Sequence, residues 1–186
     1  MKKTIFVLLS FILLYGSCKN KPVKGPNGIT YHSAVEYNDY IVGRQTTLMK
    51  NIMSFVDVAQ TNLDSAETLL DKYVRQTGVM VEEIKGMPAF KGDTALRNAA
   101  VDIFAFYQRI FDKDYRSIIQ IRRGSDGASD EANAEIEQIV KRIEEEEKNY
   151  DDRFQGAQKN FARKNKMQLM ENEMQKEFDE KMKTEE

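Results

Sequence analysis

Apolar residues recur at alternating intervals of three and four along most of this chain, in runs separated by polar or glycine-rich breaks. That spacing predicts amphipathic helices, because residues three and four apart share one helix face. The first run is Ala34, Tyr37, Ile41, Leu48, Ile52, Phe55 and Ala59, with Gln45 on the same stripe. Ser33 is its expected N-cap, and the helix should yield near Thr61 or Asn62. A second run, Ala66, Leu70, Tyr73, Thr77, Met80, Ile84 and Met87, follows Asp64. Asp64 and Glu67 have the spacing of a capping box, and Gly86 with Pro88 is a C-terminal stop. Gly78 lies inside this helix; it weakens it by about 1 kcal/mol relative to Ala, or marks a close helix contact.

The third run starts after Asp93, its expected cap: Leu96, Ala100, Ile103, Tyr107 and Ile110, widened by Phe104, Phe111, Tyr115, Ile118 and Ile121. It should stop before Gly124, which opens a turn cluster of Gly, Ser, Asp and Ala. Ser129 is the expected cap of a fourth helix with the stripe Ile136, Ile139, Ile143, Tyr150, Phe154, Ala157 and Phe161. The stripe drifts on to Met167, Met170, Met174, Phe178 and Met182. One helix from Ser129 to Glu186 would be about 87 Å long at 1.5 Å per residue. The other three helices are about half that, so its last third must project, break and fold back, or fray.

Charge suggests how the last two helices meet. The third carries Arg97, Arg109, Arg116, Arg122 and Arg123, whereas residues 124–155 hold eleven acidic residues against four basic. Folding the pair about Asp126 brings Arg116 level with Glu135 and Glu137, and Arg109 level with Glu144. Each such surface pair is worth only tenths of a kcal/mol, yet together they favour this neighbour over others. The predicted fold is all-α, an up-down-up-down four-helix bundle with an extended C-terminal helix. Merger of helices one and two into one bent helix would give a three-helix arrangement instead.

The N-terminal segment follows another pattern. Lys2 and Lys3 precede an apolar run over residues 5–15, too short for a permanent membrane span, and then Gly16, Ser17 and Cys18. This is the order of a secretory signal peptide. Tyr15-Gly-Ser-Cys18 resembles the lipobox of bacterial lipoproteins, with Tyr15 where Leu is usual. The resemblance implies a diacylglycerol on Cys18, the only cysteine, which becomes the mature N-terminus. The expected organisation is a signal peptide over 1–17, a lipidated flexible tether over 18–28, a helical bundle over 29–164 and a C-terminal helical extension over 165–186. Residues 19–28, with Lys19, Lys21, Lys24, two prolines and two glycines, are read as having nothing that can pack. The lysines are read as a solvated linker, the alternative being contact with anionic headgroups.

Composition narrows the chemistry. Loss of residues 1–17 takes Lys+Arg from 28 to 26 against 30 acidic residues, a net charge of −4. That balance does not suggest a nucleic-acid partner. His32 is the only histidine and precedes the first helix, so no catalytic triad, His-based zinc site or Glu-x-x-His di-iron motif is expected. No cofactor or metal is expected, and no enzyme. Two groups remain as candidates. Tyr37, Asn38, Asp39 and Gln45, with Tyr107, form a polar cluster that either fixes helix register or lines a small-ligand pocket. Met167, Met170, Met174, Phe178 and Met182 form an adaptable apolar stripe that either folds back or frays, or docks on a partner.

The lipobox-like Cys18, the helical domain with Tyr37-Asn-Asp-Tyr-Ile-Val42 and Gln45, and Met87-Pro-Ala-Phe-Lys-Gly-Asp93 leading into Phe104-Ala-Phe-Tyr107 together resemble small surface or outer-membrane lipoproteins of Bacteroidetes and spirochaetes. The resemblance implies location and fold more than activity. Acidic residues after the cysteine, which in Bacteroidetes direct surface export, are replaced here by Lys19-Asn-Lys21; periplasm-facing and surface positions both stay open. The expected function is a lipid-anchored, non-enzymatic envelope protein that binds a protein partner or acts as a scaffold. The alternative is a carrier of a small ligand within the bundle.

Overall fold

The computed structural model describes residues 22–124 and 129–169. A two-strand hairpin, β1 (Val23–Lys24) and β2 (Thr30–Tyr31), leads into α1 (Ala34–Thr61) and α2 (Leu63–Lys85). Then come α3 (Ala95–Arg109), a π-turn (Ile110–Asp114), α4 (Tyr115–Gly124) and α5 (Asp130–Asn165). The π-turn joins α3 to α4 without a break, so the helices form four rods.

Contacts between the rods fix their directions. Arg44 reaches Glu83 at 2.7 Å and Asn51 reaches Gln76 at 3.2 Å, so α2 runs against α1. Arg116 reaches back to Asp71, and Gln108 to the Val74 carbonyl, so the third rod runs against α2. Lys164–Asp93, Arg153–Asp102 and Arg142–Asp114 set α5 against the third rod. Gln158 meets Asn38 beside the Tyr37–Phe161 ring pair and closes the ring of four. The architecture is the expected up-down-up-down four-helix bundle.

The stripes face the core. In α1, Tyr37, Ile41, Leu48, Ile52 and Phe55 are buried with Gln45 among them; in α2 the whole run from Ala66 to Ile84 is buried, with Met87 just beyond. Helices one and two are separate. Asn62 leaves helical geometry at φ −153°, ψ 103° and caps α2, its side chain accepting from the Ser65 N–H. The cap is thus Asn62 rather than Asp64, which with Glu67 is engaged by Arg123. Ser33 and Ser129 cap α1 and α5 as expected, whereas the N-cap of α3 is Thr94 rather than Asp93, whose side chain accepts from the Ala95 N–H at 2.8 Å. Gly78 does mark a close contact, since a Cβ there would lie 2.7 Å from Gln108 Nε2.

Four expectations are corrected. First, the third stripe changes phase. The Tyr115 N–H bonds to the Ile110 carbonyl, five residues back, and this wider turn inserts one residue into the repeat. Ile119 is therefore buried, while Ile118 and Ile121 are only half-buried. Second, the α3–α5 pairing is slipped by about two residues. Arg109 meets Glu146, not Glu144, and Arg116 turns to Asp71 and Asp112 instead of Glu135 and Glu137.

Third, residues 22–28 are not a free tether. Val23 pairs with Tyr31 and Lys24 with Thr30, and the turn between them is closed by Gly28 N–H to Gly25 O at 3.0 Å. Asn27 fastens this hairpin to the end of α2: its N–H donates to the Gly86 carbonyl and its side-chain amide to the Glu83 carbonyl. Gly25 is buried there, and a Cβ on it would lie 2.6 Å from the Gly86 oxygen. Fourth, α5 does not continue into residues 166–169. Lys166 adopts the left-handed conformation, its N–H bonds to the Arg163 carbonyl, and the Met167 N–H bonds to the Ala162 carbonyl. That is a Schellman stop, completed by Met167 packing against the core.

Candidate functional site

The stripe of α5 continues through polar residues. Ile143, Glu147, Asp151, Phe154, Gln158 and Phe161 succeed one another at intervals of four and three, so Glu147, Asp151 and Gln158 must face inward with their apolar neighbours. Asp151 and Gln158 are each 1% exposed. They form the α5 side of a buried polar seam.

At one level of the seam, Gln158 Nε2 donates to Asn38 Oδ1 at 2.9 Å. A buried amide pair between two rods fixes their axial register, because a slip strands both groups without partners. Gln45, two turns along α1, is also buried. At the next level of α5, Asp151 Oδ2 accepts from Gln155 Nε2 at 2.6 Å, while Oδ1 is enclosed with no hydrogen-bond donor among the described residues. Burial, reinforced by Glu147 and Asp152 nearby, pushes the Asp151 carboxyl up to about 7. Gln155 and Lys159 oppose this and do not overcome it. Across from it, the Tyr107 hydroxyl donates to Glu147, and burial and the Glu147 charge hold that hydroxyl well above the usual phenol range. Further along, Asp114 of the π-turn is buried between Arg109 at 2.9 Å and Arg142 at 2.6 Å.

Chemically, this seam holds two helices in register and contains one carboxyl that takes up or releases a proton near neutral pH. Among the described residues no group of three His, Cys, Asp or Glu is arranged to hold a metal ion.

Of the five polar residues expected to cluster, Tyr37, Asn38 and Tyr107 meet separate partners. Tyr37 is a core anchor: its hydroxyl donates to the Pro88 carbonyl at 2.8 Å, and its ring packs on Phe90 and Phe161 at 5.2 and 5.4 Å. Asn38 meets Gln158, Tyr107 meets Glu147, and Asp39 is only half-buried, its carboxyl pushed up by that burial. The residues missed were Glu147, Asp151 and Gln158, whose signal was their position on the apolar repeat. Of the methionine stripe, Met167 is half-buried against the core. Met170, Met174, Phe178 and Met182 lie outside the described residues, as does Cys18. His32 is exposed and its backbone N–H donates to Glu36 at 2.8 Å.

Among the described residues no helix is long and apolar enough to cross a membrane. No protein-family model matches the chain, and no curated protein and no solved structure is significantly similar to it.

Proposed function

We propose that this protein is a lipid-anchored, non-enzymatic module of a bacterial cell envelope that binds a protein partner or acts as a scaffold there. The observation that carries the reading is the lipobox-like Tyr15-Gly-Ser-Cys18, ending five residues before a hairpin that is hydrogen-bonded to the bundle. A cysteine acylated at that point would tie the folded domain to a membrane through a short leash. A structural role is supported by Gln158 donating to Asn38 across the bundle and by Tyr107 being engaged by Glu147. A carrier of small ligands would need such groups turned toward a cavity.

Two experiments test the reading. Metabolic labelling with a clickable palmitate analogue should mark the wild type and not Cys18→Ala; absence of label from both would remove the anchor. Crosslinking and pull-down from envelope fractions, with and without residues 170–186, should lose the partner on truncation. Unchanged partners would take the methionine stripe out of the mechanism.

A further inference from the structure

We propose that the hairpin end of the bundle is a docking surface for the anionic headgroups of a phospholipid membrane, on which the protein stands upright. The biological setting rests on the lipid-anchored reading of Cys18; the charge at that end does not.

The geometry begins with the leash. Val23 lies five residue steps beyond Cys18, and an extended chain spans at most about 3.6 Å per step, so the leash reaches no further than about 18 Å. The hairpin it feeds is fastened by Asn27 and Gly25 to the α2 terminus. The connection from α2 to α3 and the last turn of α5 share that end, joined by Lys164 to Asp93 at 2.6 Å. This is the end the leash would hold against a bilayer.

That end carries an excess of positive charge over its own carboxylates that form no ion pair among the described residues, the exposed Glu36 and half-buried Asp39 at the start of α1. Lys24, Lys91, Arg163 and Lys166 are exposed there, and none forms an ion pair with a carboxylate among the described residues. Lys85 and Lys164 are also present, each paired, with Glu82 and Asp93. The opposite end has the reverse character. Asp130, Glu131, Glu135 and Glu137 are exposed in the first turns of α5 and form no ion pair among the described residues. The 28 residues of α1 make the bundle about 42 Å long, about five Debye lengths at physiological salt. An anionic surface would thus attract one end while the screened acidic end stays out of its field. Each lysine or arginine brought to such a surface strengthens partitioning by about fivefold.

The test uses the mature full chain, residues 18–186, with Cys18→Ser so that no acyl chain contributes. Cosedimentation compares vesicles of phosphatidylcholine with vesicles of phosphatidylcholine and phosphatidylglycerol. Binding should require phosphatidylglycerol and fall with added salt. The triple variant Lys24→Glu, Lys91→Glu, Lys166→Glu should bind at least about tenfold more weakly. A control with the same change in net charge, Lys72→Glu, Lys113→Glu, Lys141→Glu, should bind as the parent does; circular dichroism checks that both fold. Failure of the parent to bind, equal loss in both variants, or binding left intact in the first variant because Lys19 and Lys21 suffice, would each overturn the proposal. Palmitate labelling separates the two readings. Label without phosphatidylglycerol binding leaves the anchor and removes the docking surface. Binding without label leaves the surface and removes the anchor.

Discussion

The two ends of this bundle are held together by different forces. At the hairpin end, Tyr31, Tyr37, Phe90 and Phe161 are buried in one aromatic cluster with ring centroids 5.1–5.4 Å apart. Backbone hydrogen bonds from Asn27 and the Tyr37 hydroxyl add directional contacts between the hairpin, α1 and the α2–α3 connection. At the far end, the first turns of α5 bury only Ala132, Ile139 and Ile143, and the polar contacts there join α4 to α1 and α2. Arg123 holds Asp64 and Glu67, and Arg122 reaches the Ala59 carbonyl. Dense apolar packing is insensitive to salt, whereas exposed ion pairs are screened by it and contribute at most about 1 kcal/mol each. The difference teaches that one rod can be firmly seated at one end and lightly held at the other, with its polar seam between.

The largest expected effect is at the aromatic end. Phe161→Ala should lower stability by about 3–5 kcal/mol, and Ile139→Ala by about 2 kcal/mol. Urea denaturation of both variants measures the gap, and equal losses would erase the contrast between the ends. The seam comes next. Asp151 has a folded pKa near 7, raised above its value in the unfolded chain. The native state therefore binds the proton more tightly, so this group's contribution is full below pH 4 and is lost as pH rises toward 7. Asp151→Asn should remove that slope and stabilise the protein by about 2–4 kcal/mol at pH 8, with little change at pH 4. Melting curves across pH 4–8 check it; a slope that survives in the variant assigns the dependence to another group. The smallest effect concerns the end of α5, where Lys166 sits at φ 56°. Lys166→Gly should raise stability by about 1 kcal/mol, read as a higher urea midpoint, because glycine adopts that conformation without steric penalty. A loss instead would mean that the lysine side chain itself holds the stop.

What the sequence made legible was local. The stripes of α1 and α2 and the caps at Ser33 and Ser129 follow from spacing and from side chains acting within one turn. The π-turn was not legible, because a run such as Phe111, Tyr115 and Ile119 at intervals of four reads as noise on a 3.6-residue repeat. It becomes a signal once the rod must keep facing the same neighbours while Asp114 meets Arg142 across the bundle. The hairpin escaped for a related reason. Pro26, Asn27 and Gly28 announce a turn, but its fastening depends on carbonyls of Glu83 and Gly86 far along the chain. The polar seam was half visible. Gln45 was read as a polar residue on an apolar stripe, and the same logic applied to α5 finds Glu147, Asp151 and Gln158. Their partners on other helices come only from the fold.

The hairpin has a mechanical consequence. Tension arriving from residue 18 meets β1 at Val23, which is paired with Tyr31 at the open side of the ladder, so the load peels the strands apart one pair at a time. While they hold, the leash is about 18 Å; once they part and Tyr31 leaves the aromatic cluster, residues 18–33 span up to about 54 Å. Two short strands thus store slack, which is released only by breaking the Asn27 bonds to the end of α2 and the packing of Tyr31 on Tyr37.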